Sequence, residues 1–301
     1  MACRFVVTLS GEDGRHIPAA REALDEVDRL EAVLTVFRDT SEVAELNRVA
    51  ALRPVPVGRD VRVLLARSRE LRAATEGAFD PTSLPLSRCW GFLRRSGRLP
   101  APEEIEAARE SVGLEHVTLD EEAGTVRYAR SGVELSFNSI GKGYAVDRVA
   151  AVLGERGVGR ALVSAGGSSV RAIGGGAEGF RIDVRSPRLS APLARLRLRD
   201  AALGTSGAGE QFFAADGRRY GHVLDPRTGW PTEGVLSVSV VGDDGATADA
   251  LATAFLVGGA SLAERYCAAH PDTLVLVTGE DEPERLHVFG SHEGVTMEEA
   301  A

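Results

Sequence analysis

The chain has 301 residues and a formal net charge of -9; 44% of the residues are hydrophobic and 26% are charged. This is the composition of an ordinary folded protein, and the acidic balance argues against nucleic acid as a partner, because phosphate binding needs a basic face. Lys142 is the only lysine, whereas arginine is abundant.

The cysteines and the apolar segments indicate in which cellular compartment the protein lies. The three cysteines are far apart and have no metal-binding spacing, which is typical of a reducing compartment. The N-terminal stretch MACRFVVTLSGED has no basic region, and no segment approaches the ~18 apolar residues of a membrane helix. We therefore expect a cytoplasmic protein without a signal peptide, a lipid anchor or membrane insertion.

The first third of the chain is predicted to be mainly helical. Residues 4–9 predict a strand, and residues 17–37 have the apolar spacing of an amphipathic helix. Residues 40–49 and 60–77 predict two more helices, the first opened by a capping Thr or Ser and the second ended by Gly77. The stretch GAFDPTSLPLSRCWGF at 77–92 predicts an ordered loop, because it has no clear period and contains prolines and glycines.

The middle of the chain mixes both kinds of element. Residues 102–112 predict a helix, and HVTLD and TVRYA predict a hairpin. A strand at 133–140, a helix at 143–157 and a strand returning at 160–174 would then form a βαβ-like unit.

The remainder predicts strands separated by one helix. The helix is ATADALATAFLVGG at 246–259, and the strands are FRIDVRSP, LARLRLRDAALGTSG, LSVSVVGDD, DTLVLVTG and RLHVFG. Because helices and strands do not alternate strictly, we predict an α+β fold with a largely antiparallel sheet core and flanking helices. We expect a single catalytic domain over 1–290 and a polar, flexible tail at 291–301.

Lys142 lies between two glycines in SFNSIGKGYAVD at 136–147, where a helix is predicted to begin. Backbone N–H groups at a helix start, flanking glycines and an ammonium together suit a phosphate. The stretch is not a Walker A loop, which needs GxxxxGK followed by Ser or Thr. A tight turn with a solvated lysine would give the same pattern.

Asp249 and Thr253 lie four residues apart, so their oxygens share one face of the predicted helix. A carboxylate and a hydroxyl are ligands that suit Mg²⁺. The same residues could instead serve the helix, with Thr247 or Asp249 as its cap and Thr253 bonded to its own backbone.

Two further stretches offer titratable groups. YGHVLDPRTGWPT at 220–232 contains His222, which suits a general acid or base near neutral pH, although a histidine beside apolar residues is often only hydrogen-bonded in place. GAFDPT at 77–82 contains Asp80, which precedes a proline as in many turns.

Each motif is weak alone, but their order resembles that of the FAD:protein FMN transferase (ApbE-type) family. The matching stretches are, from the N-terminus, TVFRDTSEVAELNR, GAFDPTSLPLSRCWGF, NSIGKGYAVDRVAAVL, ALVSAGGSSVRAIG, TSGAGEQFF, YGHVLDPRTGWPT and TADALATAFLVGG. The resemblance implies an α+β enzyme that uses Mg²⁺, cleaves FAD at its pyrophosphate, transfers FMN to a Thr or Ser hydroxyl of an acceptor protein and releases AMP. A pyrophosphatase that hydrolyses FAD to FMN and AMP, or a non-catalytic flavin-binding protein, are the alternatives.

The resemblance also implies roles for particular residues. The metal would be held by Asp249, Thr253 and an oxygen of Ser139, and His222 and Lys142 are the candidate catalytic residues. FAD would contact Met1, Phe37, Ala78, Phe79, Asp80, Ser136, Lys142 and the backbone near Leu224.

The sequence departs from the family pattern at several of these places. Ser136 and Ser168 stand where the family has acids, Phe37 stands where a tyrosine is typical, and Ala252 replaces a second helix acid of some members. These changes bear on how FAD is held and on the balance between transfer and hydrolysis.

Overall fold

The computed structural model describes residues 3–176, 178–209 and 211–299, which form two compact units. Unit 1 comprises Met1–Leu30, Ile140–Gly207 and Gly234–Ala301, and unit 2 comprises Glu31–Ser139 and Ala208–Glu233. Each unit is therefore built from segments that are distant in the chain. The single domain over 1–290 stays a prediction.

The helices and strands follow the sequence patterns closely in most places. The helices are α1 (Ile17–Leu34), α2 (Glu42–Val49), α3 (Arg59–Ala74), α4 (Leu84–Cys89), α5 (Pro102–Arg109), α6 (Gly141–Glu155) and α7 (Gly245–Ala269). The strands are β1 (Phe5–Leu9), β2 (Val55–Pro56), β3 (Val117–Asp120), β4 (Thr125–Tyr128), β5 (Ala161–Ala165), β6 (Ser169–Ile173), β7 (Phe180–Arg185), β8 (Pro192–Leu198), β9 (Ala202–Gly207), β10 (Phe212–Ala215), β11 (Arg218–Gly221), β12 (Val235–Gly242), β13 (Leu274–Gly279), β14 (His287–Phe289) and β15 (Val295–Glu299).

Unit 1 is organised by a seven-stranded sheet in the order β1-β5-β6-β9-β12-β13-β14. All of its pairings are antiparallel, and a second antiparallel sheet has the order β15-β8-β7. The interior strand β12 is buried over almost its whole length, because both of its faces are covered. The predicted α+β fold with a largely antiparallel core is confirmed.

Two glycines allow α7 to pack closely on its neighbours in unit 1. A Cβ on Gly143 of α6 would lie 1.9 Å from the carbonyl oxygen of Gly245, where α7 begins. A Cβ on Gly204 of β9 would lie 2.5 Å from backbone atoms of Ala248. Only glycine fits at either point, so the first turns of α7 lie directly against α6 and β9.

Helix α7 is also long and apolar. By length and composition alone it could cross a membrane, and 61% of its most apolar window is buried inside the fold. This corrects the expectation that no segment approaches a membrane span, but such burial is typical of a core helix, and the observation is weak evidence for a membrane. The cytoplasmic location stays a prediction.

Unit 2 contains a sheet in the order β2-β4-β3, the hairpin β10-β11 and the helices α2 to α5. One of its core clusters joins α4 and α5 to the hairpin and consists of Leu86, Trp90, Phe92, Ile105, Tyr220 and Leu224. This cluster supports the segments that carry His222 and Leu224.

The predicted strand at 133–140 does not form. Its alternating side chains Val133, Leu135 and Phe137 are buried as expected, but the side chain of Asn47 takes the place of a partner strand. The Leu135 N–H donates to Asn47 Oδ1 at 2.7 Å, and Asn47 Nδ2 donates to the Leu135 carbonyl at 2.9 Å. The βαβ-like unit is therefore wrong, and β5 and β6 instead form an antiparallel hairpin after α6.

Two other expectations differ from the structure. The predicted loop at 77–92 contains α4, because Pro85 stands in the first turn of a helix, where its missing N–H costs nothing. The residues expected to form a flexible tail include β15, which pairs with β8. Strand pairing satisfies the backbone of this polar segment, so the apolar content of a segment is a poor guide to its order.

Candidate functional site

Lys142 and Asp249 meet in unit 1, where α6 and α7 approach each other. Lys142 Nζ lies 3.5 Å from Asp249 Oδ1. The Asp249 side chain is 2% exposed and the Lys142 side chain 29% exposed, so the ammonium lies at the edge of the site and the carboxylate inside it. The lysine is thus not merely a solvated residue of a turn.

The Asp249 carboxylate has further partners in unit 1. Its Oδ2 accepts the Gly143 N–H at 3.1 Å, and its Oδ1 accepts the Ser169 hydroxyl at 3.0 Å. Burial raises the pKa of Asp249 above its ordinary value, and Lys142, the Gly143 N–H and the Ser169 hydroxyl oppose that rise. A cation near the carboxylate would therefore stabilise its charged form.

Thr253 lies one turn after Asp249 on α7. Its hydroxyl lies 3.3 Å from the Asp249 carbonyl oxygen and 3.1 Å from the Ser206 hydroxyl of β9. The expected bond from Thr253 to its own backbone is present, but the cap of α7 is Asp244, whose side chain accepts the Thr247 N–H. Asp249 is thus not used as a cap, and its carboxylate points toward α6.

The donors on α7 suit a hard cation. Within the described part of the chain, no group of three or more His, Cys, Asp or Glu residues could hold a metal, so a metal here would rely on one carboxylate and on hydroxyl oxygens. Mg²⁺ accepts such a set, because it commonly completes its shell with water and substrate phosphates. The oxygens of Asp249 and Thr253 therefore fit Mg²⁺ and not a thiophilic metal.

Asp147 of α6 holds the start of α7 in place. Its two carboxylate oxygens accept the N–H groups of Gly245 at 2.9 Å and Ala246 at 3.0 Å. Burial raises the pKa of Asp147 to about 6, the Gly245 N–H opposes this, and the nearby Asp244 adds to it. Asp147 thereby positions the helix that carries Asp249.

In unit 2, Ala78, Phe79 and Asp80 are all buried. The Asp80 carboxylate accepts Arg72 Nε at 2.6 Å, and it also accepts from Thr82 and the Leu114 N–H. Its oxygens are therefore engaged in holding the loop to α3, in keeping with a turn. A contact of this stretch with FAD would use its backbone.

Ser136 lies beside that same stretch. Its N–H donates to the Pro81 carbonyl at 2.7 Å, and its hydroxyl accepts the Asn138 N–H at 3.4 Å. Ser139 is half-buried and is the last residue of unit 2. The structure thus brings Ser136 next to the segment of Ala78, Phe79 and Asp80, as contact of all four residues with one ligand would require.

The remaining candidates lie in different surroundings. The Gln211 carbonyl accepts the His222 N–H at 3.0 Å, and the same oxygen lies 3.1 Å from His222 Nδ1. Because a carbonyl can only accept, Nδ1 carries the proton and Nε2 is the basic nitrogen of the neutral ring. Leu224 is buried, Phe37 is 67% exposed, and Met1 lies outside the described residues.

Several residues of the site could not be recognised in advance. Ser169, Ser206 and Gln211 reach Asp249, Thr253 and His222 only through tertiary contacts. The family's acid after the glycine pair corresponds to Ser168, yet the neighbouring Ser169 is the residue that bonds Asp249. Ser169 is fully buried, but the alternation of β6 does not single it out, because Val170 and Ala172 form the more buried face of the strand.

Comparison with known proteins gives a consistent result. A sequence model of the ApbE family matches residues 1–277. The "FAD:protein FMN transferase" of Salmonella typhimurium is 29% identical over 273 residues, which are 88% of this chain and 78% of that protein. The protein of the same name from Vibrio cholerae is 34% identical over 245 residues, covering 78% of this chain and 72% of the relative.

Solved structures agree with the sequence comparison. The crystal structure of the ApbE protein from Thermotoga maritima has a TM-score of 0.84 at 31% identity and covers 96% of this chain and 93% of its own. The Pseudomonas stutzeri flavinyl transferase ApbE, in its apo form, has a TM-score of 0.80 at 29% identity, with 96% and 94% covered.

Proposed function

Because the chain belongs to the ApbE family, as its motif order predicted, we propose that it is a Mg²⁺-dependent FAD:protein FMN transferase. The observation that carries this proposal is the buried carboxylate of Asp249, which faces Lys142 and has Thr253 one turn further along α7. A carboxylate, a hydroxyl and an ammonium in one place suit a metal-bound diphosphate.

The proposed reaction transfers a phosphoryl-linked group. A Thr or Ser hydroxyl oxygen of the acceptor protein attacks the phosphorus on the FMN side of the FAD pyrophosphate. The bond from that phosphorus to the bridging oxygen breaks, and AMP leaves with the electron pair of the bond. The hydroxyl proton passes to a base, and FMN remains attached to the acceptor through a phosphoester.

Lys142 supplies positive charge for the phosphates. Its ammonium is partly exposed and only 3.5 Å from Asp249, so it can turn toward a diphosphate while it stays near the carboxylate. The N–H of Gly143 is already donated to Asp249, so this backbone group orients the carboxylate and is not available for phosphate. Position 143 is a glycine because a side chain there would prevent the close packing of α6 on α7.

Asp249 and Thr253 would hold the metal, and Ser139 as a third ligand stays a prediction. When bound, Mg²⁺ would neutralise charge on the phosphate oxygens. Ser169 and Gly143 orient the Asp249 carboxylate for the metal, and Ser206 holds the Thr253 hydroxyl by a hydrogen bond.

We assign His222 as the base for the acceptor hydroxyl. The Gln211 carbonyl holds the proton on Nδ1, which leaves Nε2 as the nitrogen able to accept a proton. The family's contacts of FAD with Phe37, Ala78, Phe79, Ser136 and Leu224 are part of the same proposal.

The experiment that tests this function compares the wild type with Asp249→Asn, which keeps the shape of the side chain and removes its charge. Purified protein is incubated with FAD, Mg²⁺ and a lysate, and both AMP and covalently bound flavin fluorescence on protein bands are measured. We expect both products from the wild type and at least a roughly 100-fold loss of AMP release in the variant, because a metal ligand is removed.

The other outcomes are distinct. AMP release without a flavinylated band would show a pyrophosphatase, in which water replaces the hydroxyl. A yellow protein that releases no AMP would show flavin binding without catalysis. Unchanged AMP release by a folded Asp249→Asn protein would contradict the metal assignment, and Asp272→Asn, at an exposed aspartate after the end of α7, serves as the matched control.

A further inference from the structure

A groove in unit 2 lies beside the loop of His222. It has a volume of about 280 Å³, and its lining includes Phe92, Arg95, Gly97, Gln211, Phe212 and Phe213. We call it the Arg95 groove. One wall is the turn that follows Trp90, and the other is the beginning of the β10-β11 hairpin.

The floor of the groove is a rigid aromatic surface. The Phe213 ring stacks on Tyr220, with ring centres 5.3 Å apart, and lies 5.6 Å from Phe92 and 6.3 Å from Trp90. Trp90 is in turn fixed by its indole N–H, which donates to the Gly229 carbonyl at 2.9 Å. Such a floor can receive an apolar side chain without having to be reorganised.

The turn above the floor has an unusual backbone. Gly97 has a φ of +50°, and a Cβ there would lie 2.7 Å from the Phe213 side chain, so only glycine lets the turn close over the ring. Arg95 also has a positive φ of 54°, which costs a non-glycine residue about 1 kcal/mol. The fold thus holds an arginine at the rim in a position where glycine would be easier to accommodate.

Three arginines lie in or next to the segments that form the groove, although the chain carries a net charge of -9. Arg94, Arg95 and Arg219 are exposed, and in the part of the chain that the structure describes none of them forms an ion pair. The Arg219 guanidinium lies 3.7 Å from the centre of the Phe212 ring. Among the described lining residues there is an arginine and no acid, so the groove favours an anionic group beside an apolar one.

The groove is connected to the proposed base through one residue. The Gln211 side chain lines the groove and donates to the Phe92 carbonyl at 3.0 Å, while the Gln211 carbonyl orients His222. A chain segment seated in the groove would therefore lie beside the residue that orients His222.

We propose that the Arg95 groove binds the acceptor protein at the segment that carries the hydroxyl to be modified. The segment is extended, its apolar side chain rests on Phe213, and an Asp or Glu close to the modified Thr or Ser pairs with Arg95. This inference rests on the proposed function for the identity of the occupant, but the binding itself can be measured without FAD.

The test uses the full-length protein and a peptide library with a fixed central threonine and randomised neighbours. Peptides are first selected by binding without FAD and then by FMN attachment with FAD and Mg²⁺. We expect both selections with wild type to enrich Asp and Glu at a fixed distance from the threonine. Arg95→Glu should weaken binding of these peptides about tenfold and Arg95→Gly about threefold, since the first reverses a charge and the second only removes it.

The controls separate docking from folding and from catalysis. Arg95→Gly suits the left-handed backbone and should fold at least as well as the wild type. Arg59→Glu changes an exposed arginine of α3 that makes no ion pair with a described residue, and it should leave peptide selection unchanged. AMP release from FAD without peptide should be the same in all of these proteins.

Three results would overturn the proposal: no enrichment of acidic peptides by wild type, identical enrichment by Arg95→Glu, or self-association of wild type that Arg95→Glu abolishes. The last would show that a second copy of the chain occupies the groove. Arg95-dependent peptide binding in a protein that releases no AMP would leave the groove in place and contradict the proposed function instead.

Discussion

At the scale of single residues, the arrangement of Lys142 and Asp249 explains why a lysine stands here in a chain rich in arginine. The two residues are 107 positions apart, and Nζ lies 3.5 Å from Oδ1. An ammonium is compact and can be shared between a carboxylate and a phosphate. A guanidinium would instead form a two-pronged pair with the carboxylate and hold it more firmly.

This difference leads to a prediction for Lys142→Arg, which keeps the charge. We expect a loss of roughly tenfold or more in kcat/KM for FAD and a higher Mg²⁺ requirement, because the guanidinium competes with the metal for Asp249. AMP release measured over a series of Mg²⁺ concentrations checks this. Equal kcat/KM for the two proteins would show that only the charge matters.

Asp80 shows how a residue with a suitable chemical group can have a structural role. Its sequence context allowed either a turn or an FAD contact. The structure engages its carboxylate with Arg72, Thr82 and the Leu114 N–H. Charge and position in a motif did not reveal the full set of partners, because Arg72 and Leu114 come from other parts of unit 2.

At the scale of elements, the segment that leads to Ser136 and Ser139 depends on one side chain. Asn47 of α2 bonds both backbone groups of Leu135 and accepts the Tyr128 hydroxyl at 3.0 Å. Burial raises the pKa of Tyr128, so its hydroxyl stays protonated and remains a donor. The alternation of buried residues predicted an extended segment correctly, but it could not show what pairs with its backbone.

Asn47→Ala therefore should lower the free energy of unfolding by about 3 kcal/mol, because it leaves the buried N–H and carbonyl of Leu135 without partners. Tyr128→Phe removes only one donor and should cost about 1 kcal/mol. Urea unfolding of the three proteins, followed by circular dichroism, measures both effects. A similar loss in the two variants would mean that the paired backbone groups of Leu135 contribute little.

At the scale of the whole molecule, the first turns of α7 both pack in the core of unit 1 and carry the proposed metal ligands. Gly143 and Gly204 allow α6 and β9 to touch α7, and Asp147 bonds the first N–H groups of the helix. The same helix then carries Asp249 and Thr253. A change at this junction should therefore affect both stability and the proposed metal site.

Asp147 makes stability depend on pH in a defined direction. Its pKa is raised from 3.8 to about 6 in the folded protein, so between these values the native state binds more protons than the unfolded state. Its contribution to stability is therefore largest at low pH and is lost as pH rises through about 6. Acidification from pH 7.5 to 5 should stabilise wild type relative to Asp147→Asn by about 1 kcal/mol.

Denaturant unfolding of both proteins at the two pH values, without divalent cations, measures that difference. The variant also loses one acceptor for a helix N–H, so it should be less stable at both pH values. Only the change with pH in the difference between the two free energies of unfolding reports the titration of Asp147; this difference is the gap. A gap that does not widen at pH 5 would contradict the assignment to Asp147.

The sequence by itself determined most of what depends on neighbours within a few residues. It predicted most helices and strands, the shared helix face of Asp249 and Thr253, the placement of Lys142 at a helix start and, through the order of motifs, the family. These features follow from local periodicity, caps and turns.

Only the tertiary structure decided which of these residues meet. Ser169 and Asp249 are 80 positions apart, and their contact exists because α7 packs on α6 and β9 at glycines that leave room for it. Distant contacts also decide that the Asp80 carboxylate bonds within unit 2, that Asn47 instead of a partner strand bonds the backbone of Leu135, and that the Arg95 groove forms. Such contacts depend on how distant segments pack, and that packing leaves no mark in the local pattern of the sequence.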